Sequence, residues 1–165
     1  VGDPGRQLRH SIMCALSRQE ERLLTRAAKV AYKGVKPGSN AMDVPEPFRT
    51  FITVYSAQPV IDNGGFQYLF ECDWPGCPPY SEFARAYREI GATDVADWLE
   101  ASAAMFPFAD SHLHREARIL YLRQHCVKGD SPMGILSGDA IDASDGVFNL
   151  LASFVRKHAA SFGVD

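Results

Sequence analysis

The sequence predicts an all-α fold, a single compact domain of about seven helices. Apolar residues recur at i, i+3 and i+4 in one segment after another. Glycine and proline clusters separate those segments. No segment alternates as a strand does: Tyr55 to Ile61 holds some β-formers, but Gln58-Pro59 interrupts it. The chain has 165 residues, 46% apolar and 22% charged. That composition suits one globular domain over residues 1–165, with residues 1–6 as a processed or added end.

Each helix has its own signals. Ser17 and Glu20 have the spacing of a capping box. Leu23, Leu24, Ala27, Val30 and Ala31 then share one face, so a helix runs to about Lys36, where Pro37-Gly38 stops it. Leu8, Ile12 and Leu16 suggest a start nearer Gln7. A second helix fits 47–57, with Phe48, Phe51, Ile52 and Tyr55 inward and Pro59 as its breaker. The turn Asn63-Gly64-Gly65 launches a third helix, to about Cys72, with Phe66, Leu69 and Phe70 on its apolar face and Asp62 or Asn63 as its cap.

Ser81 caps a helix burying Phe83, Ala86, Tyr87 and Ile90, ended by Gly91. Thr93 caps the next, with Val95, Trp98, Leu99, Ser102, Met105 and Phe106 on one side and Pro107 at its end. A helix from Ser111 to Val127 buries Leu113, Ala117, Leu120 and Tyr121. After a glycine- and proline-rich loop, the last helix runs from Ala143 to Ser161, with Val147, Leu150, Leu151, Phe154 and His158 inward.

The net charge of −3 conceals an asymmetry: residues 1–36 carry +5, residues 37–114 carry −8, and residues 115–165 are balanced with six charges of each sign. Such polarity suits a protein partner, and it leaves a homodimer open. Cys14, Cys72, Cys77 and Cys126 show no Cys-x-x-Cys spacing, which favours free thiols in a reducing, cytoplasmic setting. No apolar run approaches the roughly 20 residues of a membrane span.

The string Asn63-Gly64-Gly65-Phe66-Gln67-Tyr68-Leu69-Phe70 resembles the signature of a bacterial domain family of unknown function. A DNA-mimic protein that binds a transcription factor typifies that family. Ala84 to Ala92, ending in Ile90-Gly91-Ala92, and Leu99 to Pro107, ending in Met105-Phe106-Pro107, resemble its later helices. The resemblance covers roughly residues 47–110. It implies a mostly helical fold, often dimeric, with no established catalysis.

Mimicry makes a physical demand, because duplex DNA carries about one negative charge per 1.7 Å. Glu82, Glu89, Asp94, Asp97 and Glu100 offer an acidic partner face, although a net charge of −3 is low for a mimic. The opposite sign lies on the first helix. Arg18, Arg22, Arg26, Lys29, Lys33 and Lys36 recur at steps of three and four, within an arc of about 80° on an ideal helix. No aromatic interleaves them and no recognition-helix motif follows, which disfavours nucleic acid.

The Asn-Gly-Gly turn lacks a phosphate-loop pattern, so capping is its expected role. If Gln67 and Tyr68 line a groove with it, a small ligand is an alternative. Neither Cys72 and Cys77 nor His112 and His114 have the spacing of a metal site, and no cofactor is implied. No serine sits in a nucleophile elbow, and His158 lies on an apolar face. The expected function is therefore non-enzymatic binding of another protein. The alternatives are a DNA mimic that sequesters a regulator, an immunity protein that neutralises a toxin, and a small-ligand or enzymatic domain at the glycine turn.

Overall fold

The computed structural model describes residues 16–33, 35–36, 38–126 and 130–164. The expectations for Leu8, Ile12, Cys14, Pro37, Val127 and the first six residues lie outside them. Among the described residues eight α-helices follow one another: α1 (Arg18–Ala31), α2 (Phe48–Glu71), α3 (Tyr80–Glu89), α4 (Thr93–Ala103), α5 (Arg115–His125), α6 (Pro132–Asp142), α7 (Ser144–Lys157) and the single turn α8 (Ala159–Phe162). Among the described residues there is no strand. None of the described helices is long and apolar enough to cross a membrane.

Helix α2 is the hub, packing against α6, α3, α7, α1 and α5. Its buried face carries Phe51, Val54, Ala57, Ile61, Phe66, Leu69 and Phe70. Phe70 meets Tyr80 and Phe106 at ring distances of 4.6 and 5.3 Å, and Phe51 meets Phe162 at 5.3 Å. Fully burying each such ring contributes about 1.5–3 kcal/mol.

The expected break at Pro59 is not there. The helix runs through Pro59, which sits on its exposed side, and the break falls at Gly64 and Gly65. Pro59 withholds a donor from the Tyr55 carbonyl, yet Ala57, Gln58 and Ile61 around it are fully buried, and their packing holds the helix.

At the break, Gly65 has φ 67° and ψ −162°, a conformation that is essentially restricted to glycine. Neither Asp62 nor Asn63 caps the segment that follows. The Phe66 N–H donates to Ser137 Oγ at 3.0 Å, and Ser137 belongs to α6, 71 residues away. Ser137 Oγ in turn donates to the Met133 carbonyl at 2.7 Å. A Cβ on Gly65 would lie 2.4 Å from the Ser137 Cβ, so the glycine also permits that approach. Asn63 instead donates to the Pro59 carbonyl at 2.8 Å.

Asp62 belongs to a polar chain through the core. Tyr87 Oη donates to Gln58 Oε1 at 3.0 Å, and Gln58 Nε2 donates to Asp62 Oδ1 at 2.8 Å. Ser144 Oγ donates to Asp62 Oδ2 at 2.8 Å, which ties α3, α2 and α7 together. Complete burial pushes the Tyr87 phenol far above its ordinary pKa, so it serves as a donor.

The far end of α2 is held from α5. Arg118 is 2% exposed and donates to the carbonyls of Phe70, Ser111 and His112. Its charge is met by Asp73 at 3.4 Å and by the negative end of α2. Trp74 Nε1 adds a bond to the Leu69 carbonyl at 3.0 Å. The expected phase of α5 holds only at Tyr121, half-buried against the core: Leu120 is 57% exposed, Ala117 is exposed, and Arg118 and Leu122 face inward, while Leu113, 58% exposed, lies in a separate 3-10 turn (Ser111–Leu113) before the helix. The buried cation is tolerated because four carbonyls, of Phe70, Cys72, Ser111 and His112, accept from it.

Other departures are local. Helix α1 ends at Ala31 rather than near Lys36, its last turn tightening through a Lys33 N–H to Val30 carbonyl bond. The stretch expected to be loop before Ala143 contains α6, started by Ser131 as cap and Pro132 in the first turn. The last helix divides at His158. Ser81 and Thr93 lie just inside their helices and cap neither. The Ser17–Glu20 capping box forms as expected.

Three consequences follow for stability, each measurable by urea unfolding. Gly65→Ala is expected to cost about 2–4 kcal/mol from strain and collision with Ser137, and Ser137→Ala about 1–3 kcal/mol from a buried N–H left without its acceptor. An unchanged midpoint for Gly65→Ala would remove the break from its central role. Arg118→Met is expected to cost about 3 kcal/mol, since several carbonyls lose their donor at once.

Candidate protein-interaction surface

Two helix junctions position the acidic groups. The α3–α4 corner, turned at Gly91 with φ 93°, brings Arg88 beside α4. Arg88 Nη2 lies 2.6 Å from Asp97 and 2.8 Å from Glu100, and its Nη1 also donates to Glu100 at 2.8 Å. Hydrogen bonding from Arg88 holds the Glu100 carboxyl below its ordinary pKa. Glu82 pairs with Arg85 at 3.0 Å, and Arg85 reaches Glu46 at 2.9 Å. Of the five carboxylates expected to form one face, Glu82, Asp97 and Glu100 are thus engaged by arginines. Glu89 and Asp94 are exposed and carry no ion pair among the described residues.

The second junction is the α6–α7 corner at Ala143. From Ser131 to Val155 the chain contains no lysine, arginine or histidine, and it contains Asp139, Asp142 and Asp145. Asp139 and Asp142 are exposed and Asp145 is half-buried, and none has an ion pair among the described residues. The first turns of α4 and α7, which hold Asp94 and Asp145, contribute to one groove of about 260 Å³. Asp94 therefore joins the α6–α7 acids rather than the arginine-bound pair. These aspartates are hidden in the balanced charge of residues 115–165. A shorter window exposes them, as the Ser131-Pro132 pair exposes α6.

The basic stripe keeps four members on a helix. Arg18, Arg22, Arg26 and Lys29 are exposed on α1, while Lys33 and Lys36 lie beyond its end. None of the six forms an ion pair among the described residues.

The family-like motif is mostly interior. Phe66 and Phe70 are fully buried, and Gly65 is buried. Gln67 donates to Glu71 at 2.9 Å along its own helix. The Tyr68 ring lies over Gly64, where a Cβ would come within 2.2 Å of it. A groove of about 320 Å³ runs past Gly64, Gly65 and Gln67 to Met133, Gly134 and Ser137, but Asn63 and Tyr68 do not line it. Among the described residues, no three histidine, cysteine or carboxylate groups converge as a metal site would require. Cys72, Cys77 and Cys126 are free thiols, and burial pushes Cys72 and Cys126 above their ordinary pKa. Tyr80 is pushed up to about 12, chiefly by burial.

Because the folded pKa of Glu100 lies below its unfolded value, its small contribution is present above the unfolded pKa and fades as pH falls through the folded one. Arg88→Met is expected to return that pKa to the ordinary range, as followed by carboxyl NMR titration; an unmoved pKa would show that Arg88 is not its cause.

Neither curated proteins nor solved structures give a match to this chain. A family model described as DMP19-like protein matches residues 42–158, which span α2 to α7 and both acidic junctions. The chain belongs to the DMP19-like protein family.

Proposed function

We propose that this protein is a non-enzymatic, cytoplasmic binding protein whose partner is a basic protein, engaged through the aspartates of the α6–α7 corner and Asp94. One observation carries the reading: from Ser131 to Val155 carboxylates are present and cations are not, on helices that leave them unneutralised among the described residues. Unopposed charge of one sign steers a partner of the other sign and repels nucleic acid. Family membership supports a macromolecular partner over a substrate.

DNA mimicry is the sharper form of the same reading, with a DNA-binding regulator as the basic partner. The DMP19-like family supports it. Arg88 and Arg85 shift its weight from the α3–α4 face to the α6–α7 corner. A homodimer pairing this corner with the α1 stripe would use the same complementarity, and light scattering at two salt concentrations reads it directly.

The test is affinity capture from the native host with the full chain and with a D94N/D139N/D142N/D145N variant. Wild type is expected to retain basic proteins at low salt and release them at high salt, and the variant to lose them at least tenfold. Equal retention by both proteins would reject this face. Added duplex DNA that displaces the captured protein would support the mimic form.

A further inference from the structure

We propose that the groove between the α4 N-terminus and α7 is an anchor slot for one aliphatic side chain, flanked by lysine or arginine, on a segment of the basic partner; this rests on the function proposed above. The groove has a volume of about 260 Å³, enough for a leucine-sized side chain. Its walls are apolar: Val95 and Trp98 from α4, and Val147 and Leu150 from α7. Leu150 is 37% exposed and would touch a Cβ placed on Gly91 at 3.7 Å, so it forms the wall facing the α3–α4 turn. Gly146 leaves the α7 side open, since a Cβ there would meet nothing within 4 Å.

The rim decides the occupant. Asp94 lines the groove, Asp145 adjoins the lining residue Gly146, and Asp142 adjoins the lining residue Ala143. Two helix N-termini meet here, and by themselves they would favour an anion. Each is answered in its first turn by a carboxylate, Asp94 in α4 and Asp145 in α7. A full negative charge outweighs the roughly half-unit of the helix end, so both ends present negative charge. The lining residues of the groove include no cation. Phosphates and acidic peptides are repelled, and a bare polycation leaves the apolar walls wet. A cation-flanked aliphatic residue satisfies both features, in the manner of an interface anchor ringed by charge.

The probes are polylysine and two nine-residue peptides, each with a central leucine or a central glycine between lysines, titrated against the full chain by calorimetry. Polylysine reads the acidic face alone. The leucine peptide is expected to bind at least tenfold more tightly than the glycine peptide and to shift the indole NMR signal of Trp98 but not that of Trp74. Gly146→Leu, which fills the slot from a position with free space, is expected to abolish the difference between the peptides while polylysine binding stays unchanged and the urea midpoint does not fall. Leu150→Ala is expected to weaken the leucine peptide alone.

Equal affinity for the two peptides with polylysine still bound would overturn the slot and leave the proposed function standing. Loss of polylysine binding as well would overturn both. A shift in oligomeric state caused by Gly146→Leu, without peptide binding, would assign the groove to a second copy of this chain and also overturn the proposal.

Discussion

The hydrogen bond from the Phe66 N–H to Ser137 Oγ holds the centre of this molecule together. Helix α2 must change direction to carry Phe66, Leu69 and Phe70 into the aromatic core, and it does so at Gly64 and Gly65. A break in a buried helix frees backbone donors that water cannot reach, and each would cost about 1–3 kcal/mol if left alone. Ser137 removes that cost for Phe66, and it can do so only because α6 packs against a residue without a side chain. Glycine, serine and helix contact therefore meet at one point, the Phe66 N–H bonded to Ser137 where Gly65 lets α6 approach.

The second half of α2 is secured at both ends by residues distant in sequence. Ser137 holds its start, while Arg118 and Trp74 hold the carbonyls at its finish. Six residues, Phe66 to Glu71, are too few to be a helix by propensity, so packing and these caps stabilise them. Burying the Arg118 guanidinium would be prohibitive in an apolar site, but the end of a helix supplies carbonyls and a favourable dipole. The Tyr87–Gln58–Asp62–Ser144 chain adds directional bonds where hydrophobic packing has none.

The same arrangement separates buried structural chemistry from charged surface chemistry. Most of the motif around Gly64 is consumed by turning and packing, although a shallow groove does pass its backbone. The charged groups are displayed by helix corners. At one corner Arg88 and Arg85 pair with Glu82, Asp97 and Glu100, whereas the α6–α7 corner has no cation of its own with which to do so. The like charges of that corner stand beside the apolar walls of the groove between α4 and α7.

Local chemistry was legible in the sequence. The Ser17–Glu20 capping box, the inward faces of α3 and α4, the Gly91 stop and the all-helical class depend on residues within a turn or two of one another. What depends on distant partners was not. Pro59 reads as a helix breaker until its buried neighbours are known, and Arg118 reads as a surface cation until the end of α2 lies against it. Gly65 announces a turn, but only the approach of Ser137, 71 residues on, decides where the helix resumes. Charge behaved the same way: the sequence set the number of carboxylates, and the tertiary structure chose which ones Arg88 would pair with and which stand without an ion pair among the described residues. Propensity and capping act within a few residues of chain, whereas burial and ion pairing act through space, and only the folded arrangement brings those partners together.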